Sequence, residues 1–166
     1  GRLIARQHDE LTPQVQADAA ERVHALFCNL EQTLSAMVRG EGDAALAGAD
    51  AERGLQQWSQ QMQSALAQNH ERLNQRGRNG WVRRCHGDLH LGNLALVDDQ
   101  PQTFDALEFD ESLATIDVWY DLAFLLMDLA HRDEHAAAGH VLSRYLLEWS
   151  CAEGEQGLAA LPMFLG

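Results

Sequence analysis

The sequence contains no lysine: all 12 of its basic residues are arginines, set against 25 acidic residues. The resulting net charge of -13 repels nucleic-acid phosphates and anionic lipid, and no local basic cluster offsets it. Long apolar runs are also missing, since none approaches the roughly 18 residues that a membrane span requires. We therefore expect neither nucleic acid nor a membrane among the partners.

The sequence has only three cysteines, and their spacing matches no paired motif. Cys28, Cys85 and Cys151 lie far apart and form no CxxC pair. This spacing argues against a disulfide framework and against a cysteine-based zinc site. The first residues, GRLIARQHDEL, also lack the order of a secretion signal. We expect a cytoplasmic protein.

Apolar residues recur at helical spacing in several segments. They predict one helix over about 14–38 and a second from Leu55 to Leu73, stopped by the RGRNG sequence at 76–80. The Gly- and Ala-rich stretch 39–50 is expected to connect these two helices as an antiparallel pair. A strongly apolar segment, 116–130, predicts a buried central helix, and another helical pattern covers 141–149.

Very short strands are predicted between the second and third helices. The segments 81–85, 94–97 and 102–105 are separated by polar turns, one of which is DDQP, and the last two are expected to pair as a hairpin. The chain is expected to form one mainly helical α+β domain over residues 1–166. Its apolar LAALPMFLG ending suggests a chain cut from a longer one.

Polar residues are densest in HGDLHLGN at 86–93. Asp88 and Asn93 lie five residues apart, and Asp105 follows twelve residues later. This matches the spacing H-x-D-x-x-x-x-N, then D, of phosphoryl-transfer loops. One carboxylate orients an acceptor hydroxyl there, while an amide oxygen and a second carboxylate are hard ligands for Mg²⁺. We predict that Asp88 is catalytic and that Asn93 and Asp105 bind the metal and nucleotide.

A family resemblance rests on this motif together with the segments that come after it in the chain. HGDLHLGN, the hairpin, TFDALEFDE and IDVWYDLAFLLMDL resemble the aminoglycoside phosphotransferase family, in particular an uncharacterised bacterial branch often joined to a P-loop ATP-binding domain. The resemblance implies the C-terminal lobe of a protein-kinase-like fold, in which a small β-hairpin carries the catalytic loop. It implies ATP or GTP as co-substrate and a small-molecule hydroxyl as acceptor. It also implies that His86 shapes the loop and that Asp121 braces it by accepting backbone N–H groups.

The sequence departs from the family pattern in three ways. Leu91 stands where the family usually has proline, and FDALEFDE replaces an aspartate followed by an aromatic, so that Glu108 and Asp110 compete with Asp105 as metal ligands. The phosphate-anchoring lysine and the glycine-rich loop are both missing. With 166 residues the chain is also too short for a two-lobed kinase of about 250. We expect it to lack the N-terminal lobe and to be inactive alone.

Two other functions fit parts of the sequence. The chain is alternatively a non-catalytic kinase-like module that binds a partner or regulates a fused domain. A zinc-dependent hydrolase is a third candidate, with His86, Asp88 and His90 as ligands of one ion. The loop residues are otherwise read as ordinary turns. Asp128 and the remaining histidines, His8 among them, are expected at the surface.

Overall fold

The computed structural model of the chain describes residues 1–40 and 48–165. These ranges form a mainly helical α+β structure, as predicted. The helices are α1 (Arg2–Glu10), α2 (Ala19–Val38), α3 (Ala49–Arg78), α4 (Glu111–Ala114), α5 (Val118–His131), α6 (His135–Leu146) and α7 (Cys151–Leu165). The strands are β1 (Val82–Arg84), β2 (Leu94–Val97), β3 (Gln100–Thr103) and β4 (Thr115–Asp117).

The predicted antiparallel helix pair is confirmed by α2 and α3. The Ala20 amide donates to Asn74 at one end of the pair, at 2.9 Å, and the rings of Phe27 and Trp58 pack at 5.2 Å further along. Contacts that pair early residues of α2 with late residues of α3 require opposite helix directions. Residues 41–47 of the predicted connection lie outside the described residues.

The prediction that the first helix begins at about residue 14 is wrong. Residues 14–18 lie outside any helix, because their backbone bonds to other parts of the chain: the Gln14 amide donates to the Val82 carbonyl at 2.8 Å and the Gln16 amide to Gly77 at 3.1 Å. A helix that the sequence did not predict, α1, precedes this segment. Arg83 fastens α1 by donating to the carbonyls of Asp9 and Leu11 at 2.8 and 3.2 Å.

Two small antiparallel sheets frame one loop. The hairpin β2–β3 is confirmed, and its two-residue turn has Asp98 and Asp99 at φ +51° and +58°, the left-handed values of a type I′ turn. Strand β1 pairs instead with β4, which was predicted to belong to the central helix. The loop 85–93 therefore leaves one sheet and enters the other.

The buried core surrounds α5, the predicted central helix. Val118, Trp119, Leu122 and Ala123 have no exposed surface. Helix α6 begins earlier than predicted, at His135, and α7 packs its apolar residues on α5 and α3. Among the described helices, none combines the length and apolar character of a membrane span.

A buried ion pair fixes the start of α5. Asp117 caps the helix by accepting the Trp119 amide at 2.9 Å, and Arg76 of α3 donates to both of its oxygens, at 2.5 and 2.8 Å. The Arg76 guanidinium also lies over the Trp81 ring, 4.8 Å from its centroid. The planar two-point contact fixes the end of α3 against the start of α5.

Candidate active site

Asp121 holds the first half of the loop 85–93. This carboxylate is fully buried on α5 and accepts the backbone amides of Gly87, at 2.8 Å, and His86, at 3.4 Å. Gly87 has φ +79°, and a Cβ there would lie 3.0 Å from Leu107 Cβ. Glycine therefore lets the chain turn tightly against the carboxylate. This contact is of the bracing kind that the family resemblance implies for Asp121.

Asp128 holds the second half of the loop, so the prediction that it is simply solvent-exposed is wrong. Its side chain is 18% exposed, and its two oxygens accept the Leu91 amide and the Arg132 guanidinium, both at 2.9 Å. The Leu91 amide, with Arg132, lowers the pKa of Asp128 below its ordinary value. Asp121 and Asp128 lie seven residues apart on one face of α5, a spacing in an apolar helix that is the sequence signal for both contacts.

Asp121 is held in turn by His8, which was predicted to lie at the surface. His8 is buried on α1; its Nε2 lies 3.0 Å from Asp121 Oδ2 and its Nδ1 lies 2.8 Å from the Tyr145 hydroxyl. Since a carboxylate only accepts, Nε2 carries the proton. Burial raises the pKa of Tyr145 well above its ordinary value, so the phenol keeps its proton while its hydroxyl hydrogen-bonds to Nδ1.

His86 connects the loop to the chain that follows the hairpin. Its Nε2 lies 2.9 Å from the Phe104 carbonyl, which only accepts, and its Nδ1 accepts the Asp88 amide at 3.3 Å. The Leu107 amide donates to the His86 carbonyl at 2.8 Å. The ring therefore links both sides of the loop, with each nitrogen engaged by the protein.

Asp88 and Asn93 are brought into direct contact. Asn93 is buried, and its Nδ2 donates to the backbone carbonyl of Asp88 at 2.9 Å and to Asp88 Oδ2 at 3.2 Å. The two acceptors fix the amide so that Nδ2 faces Asp88, and no donor in the described residues reaches Asn93 Oδ1. His90 caps the short turn Leu91–Asn93 through the Gly92 amide, and its Nε2 lies 3.5 Å from Asp88 Oδ2.

Asp105 follows Phe104, whose backbone is bonded to the loop. The Phe104 amide donates to the Asn93 carbonyl at 3.1 Å, and the Phe104 carbonyl accepts from His86. Asp105 follows at φ +61°, a left-handed conformation that aspartate adopts more readily than most residues. Its exposed carboxylate has no donor among the described residues.

The two acidic residues predicted to compete with Asp105 differ in their contacts. Asp110 caps α4 by accepting from the Ser112 hydroxyl and from the amides of Ser112 and Leu113, at 2.6, 2.9 and 3.3 Å. The Ser112 hydroxyl and these amides lower the pKa of Asp110. Glu108 is exposed and has no bond to the loop within the described residues. Asp110 is thus engaged in starting a helix.

Three buried side chains beneath the loop bring metal-binding atoms together. Among the described residues, this group consists of His8, Cys85 and Asp121, whose ligand atoms lie within 4.8 Å of one another. Burial, with the neighbouring Asp121 and Asp117 carboxylates, raises the pKa of the Cys85 thiol. The thiol is therefore protonated, and His8 Nε2 hydrogen-bonds to Asp121. The sequence patterns did not identify this group.

A cavity of about 670 Å³ opens beside Asp88. It lies between α2, α3, α4, α5 and α7, and its lining includes Gly87 and Asp88 of the loop. The site thus combines the Asp88 carboxylate and the Asn93 amide with space for a small molecule. Comparison of the chain with protein-family models, with curated proteins and with solved structures gave no match.

Proposed function

We propose that this chain supplies the catalytic-loop lobe of an ATP- or GTP-dependent phosphotransferase of the kinase-like type to which the aminoglycoside phosphotransferases belong. The enzyme transfers the γ-phosphoryl group to a hydroxyl of a small molecule in the cytoplasm. The observation that carries the proposal is the contact between Asp88 and Asn93, together with the backbone hydrogen bond to Asn93 from Phe104, the residue before Asp105. These are the groups that such transfer requires.

Asp88 receives the acceptor hydroxyl in this mechanism. The acceptor oxygen forms a bond to the γ-phosphorus while the bond from that phosphorus to the leaving nucleoside diphosphate breaks, and the proton passes to the Asp88 carboxylate. The products are a phosphate monoester and ADP or GDP. Asn93 Nδ2 stabilises Asp88 at 3.2 Å as the carboxylate exchanges the proton.

Asn93 and Asp105 fit a magnesium-nucleotide complex. Asn93 Oδ1 and the Asp105 carboxylate are oxygen ligands without donors in the described part of the chain, as a hard cation requires. Bound Mg²⁺ supplies charge neutralisation at the phosphate oxygens. The chain has no lysine to anchor those phosphates, so we propose that an N-terminal lobe, with or without a fused P-loop domain, provides that group.

The alternatives have less support. A zinc hydrolase that uses HGDLH needs free imidazole nitrogens, and both nitrogens of His86 are engaged within the protein. A non-catalytic module would not need the Asp88–Asn93 contact or two aspartates holding the loop. Nucleotide consumption separates this candidate from the enzyme.

The experiment is phosphoryl transfer by the full-length protein, screened against hydroxyl-bearing metabolites. Asp88→Asn keeps the shape of the side chain and is expected to lower kcat by about 10²–10⁴-fold, because a general base is lost. Asp133→Asn is the matched control, since the Asp133 side chain is 96% exposed. Normal turnover by a folded Asp88→Asn protein would overturn the assignment.

The same assay assigns the metal ligand. Asp105→Asn, which preserves the left-handed backbone, is expected to raise the Mg²⁺ concentration needed for half-maximal rate, whereas Glu108→Gln is expected to leave it unchanged. The reverse pattern would transfer the role to Glu108.

A further inference from the structure

The cavity beside Asp88 is lined by residues of five helices, α2, α3, α4, α5 and α7, and by residues of the loop. Its walls include Leu26 and Leu30 of α2, Trp58 of α3, Phe124 of α5 and Phe164 of α7. Its volume, about 670 Å³, falls in the range of small-molecule sites, which is about 300–1,000 Å³. Leu30 remains 49% exposed at this surface, so an occupant would bury apolar area.

The charge of the lining is the informative feature. Asp88 is the single charged residue among the lining residues described, and the other polar side chains are those of Asn29, Thr33 and Tyr120. Burial raises the pKa of Tyr120, which therefore stays neutral. The wall thus provides one carboxylate and three neutral polar side chains at a site whose other lining residues are mostly apolar.

We propose that the phosphoryl acceptor is a neutral alcohol with an apolar body, which fills this cavity and presents its hydroxyl to Asp88. The inference rests on the proposed function and names its substrate class. An apolar wall favours an apolar occupant because both surfaces leave water. A polyhydroxylated or multiply cationic acceptor would instead lose more hydration than the few polar side chains of the lining replace.

The acidic residues near the loop do not change this expectation. Asp105, Glu108 and Asp110 are absent from the residues that line the cavity, and Asp110 is engaged in capping α4. They therefore offer no direct contact to an occupant of the cavity. The reaction converts the alcohol and ATP into an alkyl phosphate monoester and ADP, with the hydroxyl proton passing to Asp88.

Binding and transfer are measured separately on the full-length protein. Calorimetric titration uses 1-octanol as the apolar alcohol, sorbitol as a neutral polyol and glucosamine as a cationic sugar. Leu30→Glu puts a charge at the cavity wall and is expected to weaken octanol binding by at least about tenfold. Leu147→Glu is the matched control, because Leu147 is 66% exposed and does not line the cavity. Asp88→Asn should retain octanol binding and lose formation of octyl phosphate.

The outcomes distinguish the inference from the function on which it rests. Octanol binding that depends on Leu30, together with octyl phosphate formation that depends on Asp88, supports both. Phosphorylation of glucosamine or sorbitol without octanol binding overturns the apolar acceptor and leaves the phosphotransferase standing. Leu30-dependent octanol binding without transfer to any acceptor overturns the phosphotransferase. A dimer that Leu30→Glu dissociates, measured by light scattering, assigns the cavity to a second copy and overturns the inference.

Discussion

At the scale of single residues, buried hydrogen bonds determine the position of the loop. Asp121 accepts from His86, Gly87 and His8, so its carboxylate has compensation for leaving water. A buried acceptor with several donors costs far more to remove than the net value of each bond. The loop is therefore anchored by a side chain that does not touch the proposed substrate.

Tyr145→Phe tests the outer contact of this network. The substitution keeps the ring and removes the hydroxyl that lies 2.8 Å from His8 Nδ1, leaving a buried nitrogen without its partner. We expect a loss of about 1–3 kcal/mol in the free energy of unfolding, measured by urea denaturation. Tyr120→Phe is the control, because the described residues give its hydroxyl no partner. Equal effects in the two variants would contradict the role of the hydroxyl.

Asp128→Asn tests the contact between Asp128 and the Leu91 amide through the pH dependence of stability. The Leu91 amide and Arg132 hold the pKa of Asp128 below its ordinary 3.8 in the folded protein. The resulting stability is therefore present above about pH 4 and is lost as the pH falls through the lowered pKa. We expect the variant to be less stable than wild type at pH 6, with the difference shrinking below pH 4.

Urea unfolding between pH 2.5 and 6 measures this difference. Asp98→Asn, in the hairpin turn, is the matched control because it is not bonded to the loop. A constant difference between wild type and Asp128→Asn across that range would contradict the linkage.

At the scale of elements, the loop is held between two sheets and one helix. Strands β1 and β4 fix its start, β2 and β3 fix its end, and α5 runs beneath both parts. The position of α5 depends on the buried pair between Arg76 and Asp117. The pair therefore helps to position the loop although neither of its residues belongs to the loop.

Arg76→Leu measures how much the Arg76–Asp117 pair contributes to the stability of the fold. It leaves the Asp117 carboxylate buried with one amide donor, and the expected cost is about 3–5 kcal/mol in the free energy of unfolding. Arg78→Leu is the control, since Arg78 pairs with Glu71 in a mostly exposed contact worth about 0–1 kcal/mol. Thermal and urea unfolding give both values. Comparable losses in the two variants would contradict the buried role of Arg76.

Sequence patterns predicted the elements whose signal is local. The apolar run of α5 and the DDQP turn of the hairpin each lie within a few residues, and both helices of the α2–α3 pair have clear periodicity. Helix α1 has a weak signal, because its buried face is Ile4, Ala5 and His8. Strand β4 exists because it pairs with β1, more than thirty residues earlier. Pairing across such a separation is not encoded in periodicity.

The site residues also divide into those with a local sequence signal and those that depend on distant partners. The spacing of Asp88, Asn93 and Asp105 is visible in the sequence, and the contact between Asp88 and Asn93 is present. His8 and Tyr145 were not identified, since burial of a lone histidine depends on partners more than a hundred residues away. The family assignment and the activity remain predictions.

At the scale of the whole molecule, the net charge of -13 acts against the folded state. Like charges repel more strongly in a compact chain than in an unfolded one, and salt screens that repulsion. Most of the arginines that form ion pairs do so at the surface, where each pair contributes little. Because repulsion outweighs these pairs, we expect added salt to stabilise the folded protein.

Raising NaCl from about 20 to 500 mM at pH 7.5 is expected to raise the thermal unfolding midpoint, because the Debye length falls from over 20 Å to about 4 Å. Near the sequence pI of about 4.8 the repulsion is small, and the same salt change should have little effect. Calorimetry at both pH values measures the shift. A midpoint that falls with salt at pH 7.5 would show that attractive pairs outweigh the repulsion.

Asp121 and Asp128 are carried by a single helix, and seven residues at 1.5 Å each separate them by about 10 Å along its axis. The helix therefore fixes the distance between the two points at which the loop 85–93 is held. Inserting or deleting one residue between the two aspartates would rotate one of them by about 100° and release its end of the segment. A change of length in this part of the helix therefore needs a matching change in the loop.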